Sequence, residues 1–289
     1  NRPLDGAAIV VAARNDGATY SANPATLATV AISGGSITGS PANIKISNDV
    51  DLETVTISGT ELNGLGAGIV VAGVDAGEVL TLGNVRFDAA LTYSVFQAKA
   101  GATVDAKSAL FTSASGYVAG SALPLVDAFA AADKVVDSVD ASVYGKVVLQ
   151  SGKVFVTPAS FFNPTTSASV ARAIGTAAAS NTVHVKTGTY TDGAVTVGVE
   201  GLTVDVPVGA TGFSLALGVA NNVSLSGNGA MDVSGNASAN AIVGNEGVNV
   251  LAGSDDADTL SGAGGADTFN GGNGNDTMNG GNDADTMNG

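Results

Sequence analysis

Cysteine and tryptophan are absent from this 289-residue chain, and aromatic residues make up only 5% of it. With one histidine, His184, and no cysteine, no zinc-ligand cluster can be assembled. No Lys or Arg follows Lys186, only 13% of residues are charged, and the formal net charge is −15. Such acidity disfavours nucleic acid and anionic membrane surfaces as partners. No apolar run approaches the length of a membrane span, and no signal peptide opens the chain. Neither a G-x-S-x-G nucleophile motif nor a phosphate loop is present. Asn1 is not an initiator methionine and Gly289 halts inside a repeat, so the sequence reads as a piece of something larger.

What is abundant is alanine, valine and glycine: 45% of residues are apolar and 40 are Gly. That balance is globular or fibrous rather than disordered, and it suits a thin solenoid core. A repeat is visible near the start. Val30–Ile37 (VAISGGSI) returns 25 residues later as Val55–Leu62, again after 25 as Leu80–Phe87, and after 24 as Val104–Phe111. Companion segments Ile44–Ile46, Ile69–Val71 and Ser94–Phe96 keep the same beat, and Asp5–Ala12 reads as an earlier coil. Short alternating strands at a fixed period in the twenties predict coils of a parallel β-helix with inward aliphatic ladders.

Between 116 and 162 the period breaks. Leu125, Phe129, Ala132, Val136 and Val139 share one helical face, which predicts an amphipathic helix over 124–140. Val147–Gln150 and Val154–Thr157 flank Ser151-Gly152-Lys153 and read as a hairpin. Together they form a connector that shields the first solenoid from edge pairing. Thr165 or Ser167 is then placed to cap a helix turning Val170, Ile174 and Ala178 inward. A capping helix followed by Thr182–Tyr190 (TVHVKTGTY) resembles the opening of pectate-lyase-like right-handed β-helices, which implies that fold and not the activity.

The tail is organised on nine residues. Val233, Ile242, Leu251, Leu260, Phe269, Met278 and Met287 recur at that spacing, and Asp258, Asp267, Asp276 and Asp285 stand two places before the last four. Asn240 and Asn249 hold the corresponding places upstream. Three residues form a short strand with the apolar one inward, and a Gly/Asn-rich segment that tolerates positive φ turns the chain. Nine residues then make half a coil, and eighteen return to the same edge roughly 4.8 Å along the axis. Asp258 stacks with Asp276 on one edge and Asp267 with Asp285 on the other. Carboxylates roughly 5 Å apart repel by a few kcal/mol at an effective dielectric of about 20. No basic residue is near in sequence, so a hard divalent cation, held by carboxylate and carbonyl oxygens, is the expected relief. The Asn240 and Asn249 rungs are expected to be metal-free, because amides can hydrogen-bond without a counter-ion.

The rung Gly271–Asn279 (GGNGNDTMN) matches the nonapeptide G-G-x-G-x-D-x-U-x, and its neighbours match with one or two slips. This stretch resembles the calcium-binding RTX repeats of proteins exported by type I secretion. The resemblance covers residues 253–289 and fades over 235–252. It implies several Ca²⁺ ions, with Asp258, Asp267, Asp276 and Asp285 as ligands and carbonyls of turn residues such as Gly265, Asn273 and Gly274 completing each shell. Asp256 and Asp283 replace the fourth-position glycine and Asp255 stands at the third, which strains the expected turn but adds carboxylate oxygens.

The fold class expected is therefore an all-β solenoid. A right-handed parallel β-helix (1–115) leads to a helical and hairpin connector (116–162), a second β-helix (163–232) and an RTX parallel β-roll (233–289). The function expected is that of an extracellular structural protein: a calcium-stabilised building block of a filament, surface layer (S-layer) or adhesin stalk. It would be secreted by a Gram-negative bacterium, ordered by calcium from its C-terminal end, and self-associating head to tail as a homo-oligomer or polymer. A cell-surface polysaccharide is a further candidate partner. The rival is a β-helix polysaccharide lyase or alginate-epimerase-like enzyme with an RTX module. Against it, the D-P-H-E motif of the epimerases is absent and no catalytic residue can be named. His184 sits in a strand, and Arg86 and Lys107 near Asp88 and Asp105 read as a solvated face.

Overall fold

A computed structural model describes residues 7–12, 26–27, 29–38, 41–47, 51–52, 55–74 and 76–289. The chain divides into two units. The first holds Asn1–Ser151 with Phe162–Pro164, and the second holds Gly152–Phe161 with Thr165–Gly289. Each is built from parallel strand pairs, except that in the first unit Gly116–Ala119 pairs antiparallel with Thr103–Ser113.

In the first unit one sheet stacks Ile9–Val11, Ala42–Ile46, Ala67–Val71, Tyr93–Gln97 and Val135–Val136. The other stacks Val30–Ser33, Val55–Ser58, Val79–Phe87 and Thr103–Ser113. The register follows the sequence period: Ile32 lies on Ile57, Ile57 on Leu82, and Ile44 on Ile69. Ile44, Ile57, Ile69, Leu82 and Val95 are wholly buried, because a period-two pattern on stacked strands turns every second side chain into the core. Of the early coil expected at Asp5–Ala12, Ile9–Val11 pairs with Ile44–Ile46, and Asp5 lies outside the described residues.

Two local expectations are corrected here. The helix covers only Leu125–Ala132. Val135–Val136 leaves it to pair in parallel with Tyr93–Gln97, and Leu125 is exposed while Ala128, Phe129 and Ala131 are buried. Two β-branched valines gain more by extending a buried sheet than by prolonging a helix that disfavours them. The hairpin does not form either. Lys146–Val148 pairs in parallel with Thr103–Ser113 in the first unit, and Lys153–Val156 with Thr182–Val185 in the second. Each strand extends an aliphatic ladder, Val147 on Val104 and Val156 on Val185, which a two-stranded hairpin would leave open.

In the second unit one sheet runs Lys153–Val156, Thr182–Val185, Leu202–Val206, Asn222–Gly227, Ala241–Val243, Thr259–Ser261 and Thr277–Asn279. Its partner runs Gly188–Val197, Ala210–Leu217, Met231–Ser234, Asn249–Ser254, Thr268–Gly272 and Thr286–Asn288. Val183 lies on Val204 and Val204 on Leu225, 21 residues apart. Ile242 lies on Leu260 and Leu260 on Met278, 18 apart. The coil tightens without a break. Val170–Thr176 is the preceding helix, with Val170, Ala173 and Ile174 buried. Its cap is Ser169, not Thr165 or Ser167: the Ser169 hydroxyl accepts from the Arg172 N–H at 3.2 Å and donates to Asp192 at 2.5 Å. Ala178 falls beyond the helix and is exposed. No helix among the described residues is long and apolar enough to cross a membrane.

Candidate metal centre

The 18-residue register places turns 235–240, 253–258 and 271–276 on one edge of the roll, and turns 244–249, 262–267 and 280–285 on the other. In the last four turns the second and fourth residues have positive φ. They are Ser254 and Asp256, Ala263 and Gly265, Gly272 and Gly274, and Gly281 and Asp283. Asp256 (+66°) and Asp283 (+75°) thus hold the conformation that glycine holds at Gly265 and Gly274. The expected disturbance of the turn is absent, since aspartate is among the few residues that visit this region readily.

Within each turn the sixth residue points its side chain back at the first. Asp258 Oδ1 accepts from the N–H of Asn240 at 2.8 Å, and Asp276 Oδ1 from that of Asp258 at 3.0 Å. Across the roll, Asp267 Oδ1 accepts from Asn249 N–H at 2.8 Å and Asp285 Oδ1 from Asp267 N–H at 2.9 Å. The second oxygen behaves differently. Asp258 and Asp267 are each 1% exposed, and their Oδ2 atoms are buried without a hydrogen-bond partner. A cradle around this oxygen is kept open by the first-position glycine. A Cβ on Gly253 would come within 2.0 Å of Asp258 Oδ2, and one on Gly262 within 2.1 Å of Asp267 Oδ2. Gly271 and Gly280 stand in the same relation to Asp276 and Asp285, at 2.3 and 2.0 Å.

Burial pushes the Asp258 carboxyl above the usual range, and the charges of Asp276, Asp256 and Asp255 push it further, against the N–H of Asn240. Asp267 is raised in the same way by burial and by Asp285 and Asp283, against the N–H of Asn249. Each edge is thus a stack of mutually repelling carboxylates with bare oxygen facing inward, a donor set of hard oxygens that fits Ca²⁺. Among the described residues no three His, Asp or Glu side chains converge on one point. An ion there would draw on paired carboxylates plus the carbonyls of the turns.

The expected ligands fall into two groups. Asp255, Asp256, Asp258, Asn273, Gly274 and Asp276 lie on one edge; Gly265, Asp267, Asp283 and Asp285 lie on the other. Two of the extra residues bond to neighbouring turns: Asn273 Nδ2 donates to Asp255 at 2.9 Å, and Gly265 N–H donates to Asp283 at 3.3 Å. The first-position glycines were missed, although the doubled glycine of the repeat was the signal for them. Elsewhere, His184 Nδ1 lies 2.8 Å from Asp205 and its ring stacks on Phe155 at 5.3 Å. The three residues form one ladder across adjacent strands. Lys107 pairs with Asp105 at 3.1 Å, and Arg86 lies over the ring of Tyr117 at 5.7 Å.

The fold and these edges define a calcium-binding parallel β-roll. Residues 234–269 and 261–289 match the family model of the RTX calcium-binding nonapeptide repeat (4 copies). Such repeats bind Ca²⁺ at several sites and are typical of extracellular proteins exported by type I secretion. No curated protein and no solved structure matches the chain.

Proposed function

We propose that the chain is an extracellular structural protein, a calcium-stabilised β-solenoid segment of a cell-surface or matrix assembly such as a filament, surface layer or adhesin stalk. The observation that carries this reading is the pair of buried, unpartnered carboxylate oxygens on Asp258 and Asp267, one on each edge. A buried charge without a partner costs several kcal/mol. Extracellular calcium modules bind with dissociation constants of roughly 10⁻⁴–10⁻³ M, so the roll closes outside the cell and stays loose inside it, which suits export. Asp258 with Asp276, and Asp267 with Asp285, would each share an ion. Asp255, Asp256 and Asp283 would add charge, and the carbonyls of turn residues such as Gly265, Asn273 and Gly274 would complete the shells.

One further element of the reading has structural support. The helix Val170–Thr176 preceding Thr182–Val185 agrees with a pectate-lyase-like start to the upstream coils.

The test is light scattering and electron microscopy of the full chain, with calcium and with excess EGTA. Calcium-dependent particles are expected, and a particle size indifferent to EGTA would sink the assembly. In parallel, Asp276→Ala should lower the calcium stoichiometry by one ion. An unchanged count would overturn the ligand assignment.

A further inference from the structure

Turns 235–240 and 244–249 belong to the matched repeats, yet they are closed differently from the four that follow. Their second residues are Asn236 and Asn245, which are not among the residues with positive φ; Ser254, Ala263, Gly272 and Gly281 at the same place all are. The difference turns one N–H. Asn236 N–H donates to Asn240 Oδ1 at 2.8 Å, and Asn245 N–H donates to Asn249 Oδ1 at 3.0 Å. In the later turns that N–H is swung away, and the corresponding oxygens of Asp258 and Asp267 are left bare.

The asparagine side chains complete the closure. Asn236 Nδ2 donates to the carbonyls of Gly218 and Ala220 in the coil above, both at 2.9 Å. Asn245 Nδ2 donates to those of Ser226 and Gly229, both at 3.1 Å. Asn240 Nδ2 and Asn249 Nδ2 donate back to Asn236 Oδ1 and Asn245 Oδ1, at 3.1 Å each. A polarised NH₂ group, pointing at two carbonyl oxygens of the neighbouring coil, does without charge what a small cation would do with it. No amide atom of these four asparagines is buried without a partner.

We propose that the second-position residue decides which turns of the roll take an ion. Asn236 and Asn245 seal the first two turns with amides, so residues 235–252 bind no calcium and stay folded without it. They present a finished edge to the turns below: the N–H groups of Asn240 and Asn249 already hold the Oδ1 atoms of Asp258 and Asp267. Calcium-driven order then spreads from residue 253 toward 289, the reverse of ordering from the C-terminal end. The proposal rests on calcium binding by the turns from 253 to 285.

Two measurements on the full chain test it. Hydrogen exchange in excess EGTA should leave 235–252 protected and strip protection from 253–289. Asn245→Gly combined with Asn249→Asp, which frees the second position and restores the carboxylate, should raise the calcium count by one ion in isothermal titration. Asn249→Asp alone, with the Asn245 N–H still in place, should leave that count unchanged. Exchange of 235–252 in step with 253–289 would overturn the proposal, as would a folded double variant with the wild-type count. If the double variant fails to fold, the exchange measurement on the wild-type chain decides alone. A chain that takes up no calcium anywhere would instead defeat the underlying calcium reading, so the two failures are told apart.

Discussion

Asp137 in the first unit and Asp258 in the second are both nearly inaccessible, at 7% and 1% exposure, but they are held in opposite ways. Both oxygens of Asp137 accept from the chain itself, Oδ1 from Val139 N–H at 2.8 Å and Oδ2 from Val147 N–H at 3.1 Å. Asp258 has one oxygen bonded and the other bare. The first carboxylate ties a loop together using donors the fold supplies, and the second keeps one buried oxygen out of the hydrogen-bond network. The apolar cores differ in the same sense. A coil of the first unit buries Ile57, Leu62, Ile69 and Val71, whereas the half-coils of the roll at Ile242, Leu251, Leu260 and Phe269 each bury that single ladder residue. The upstream coils pack on several aliphatic ladders, while the roll packs on fewer and stacks carboxylates whose hard oxygens fit Ca²⁺.

The contrast can be broken most severely at Asp137. Burial raises its carboxyl to about 6 from 3.8, against the two N–H donors and Lys146. A raised folded-state value means that the folded chain holds the proton more tightly than the unfolded one. Its contribution is complete below pH 4 and is lost as pH rises to about 6, a change of about 3 kcal/mol at 1.36 kcal/mol per unit. Asp137→Asn should abolish that slope, though at a cost in stability, because an NH₂ then faces one of the two N–H donors. Urea titrations at pH 4 and 6, followed by circular dichroism, read the difference. Parallel pH profiles for wild type and variant would show that Asp137 is charged at no cost. On the calcium side, Gly262→Ala should lower affinity at one edge by about tenfold or more, equivalent to about 1.4 kcal/mol. Its Cβ would occupy the space beside Asp267 Oδ2, and isothermal titration would show whether the cradle matters. The smallest effect is expected at Ala263, whose φ of +75° is a strained place for an L side chain. Ala263→Gly should raise the thermal midpoint of the calcium-loaded roll, by less than about 1 kcal/mol in stability.

Both periods were legible because inward aliphatic residues are spaced by the coil, and Ile32, Ile57 and Leu82 stack where their spacing puts them. Stacked aspartates on two edges followed from the nine-residue spacing by geometry alone. What could not be read depends on partners distant in sequence. Val135–Val136 looks helical until Tyr93–Gln97 is beside it, and Lys146–Val148 looks like half a hairpin until Thr103–Ser113 offers a longer ladder. The asparagine turns were visible as departures from the repeat. Their closure, however, depends on carbonyls of the coil above, at Gly218, Ala220, Ser226 and Gly229, and on the sign of one φ angle.

Because the coil of the tail settles at 18 residues, it is divisible into two equal halves. Inserting or deleting one nonapeptide would move every later strand to the opposite sheet. The apolar residue would still point inward and the aspartate would still reach an edge. Lineages could therefore lengthen or trim this tail by unequal crossing-over, one half-turn at a time, without repacking it. The upstream steps vary, 21 residues from Val183 to Val204 and 22 then 20 between Gly188–Val197 and Ala210–Leu217, so they offer no equal half to copy, and evolutionary variation in length should concentrate beyond residue 231, where Met231 meets Asn249 eighteen positions on.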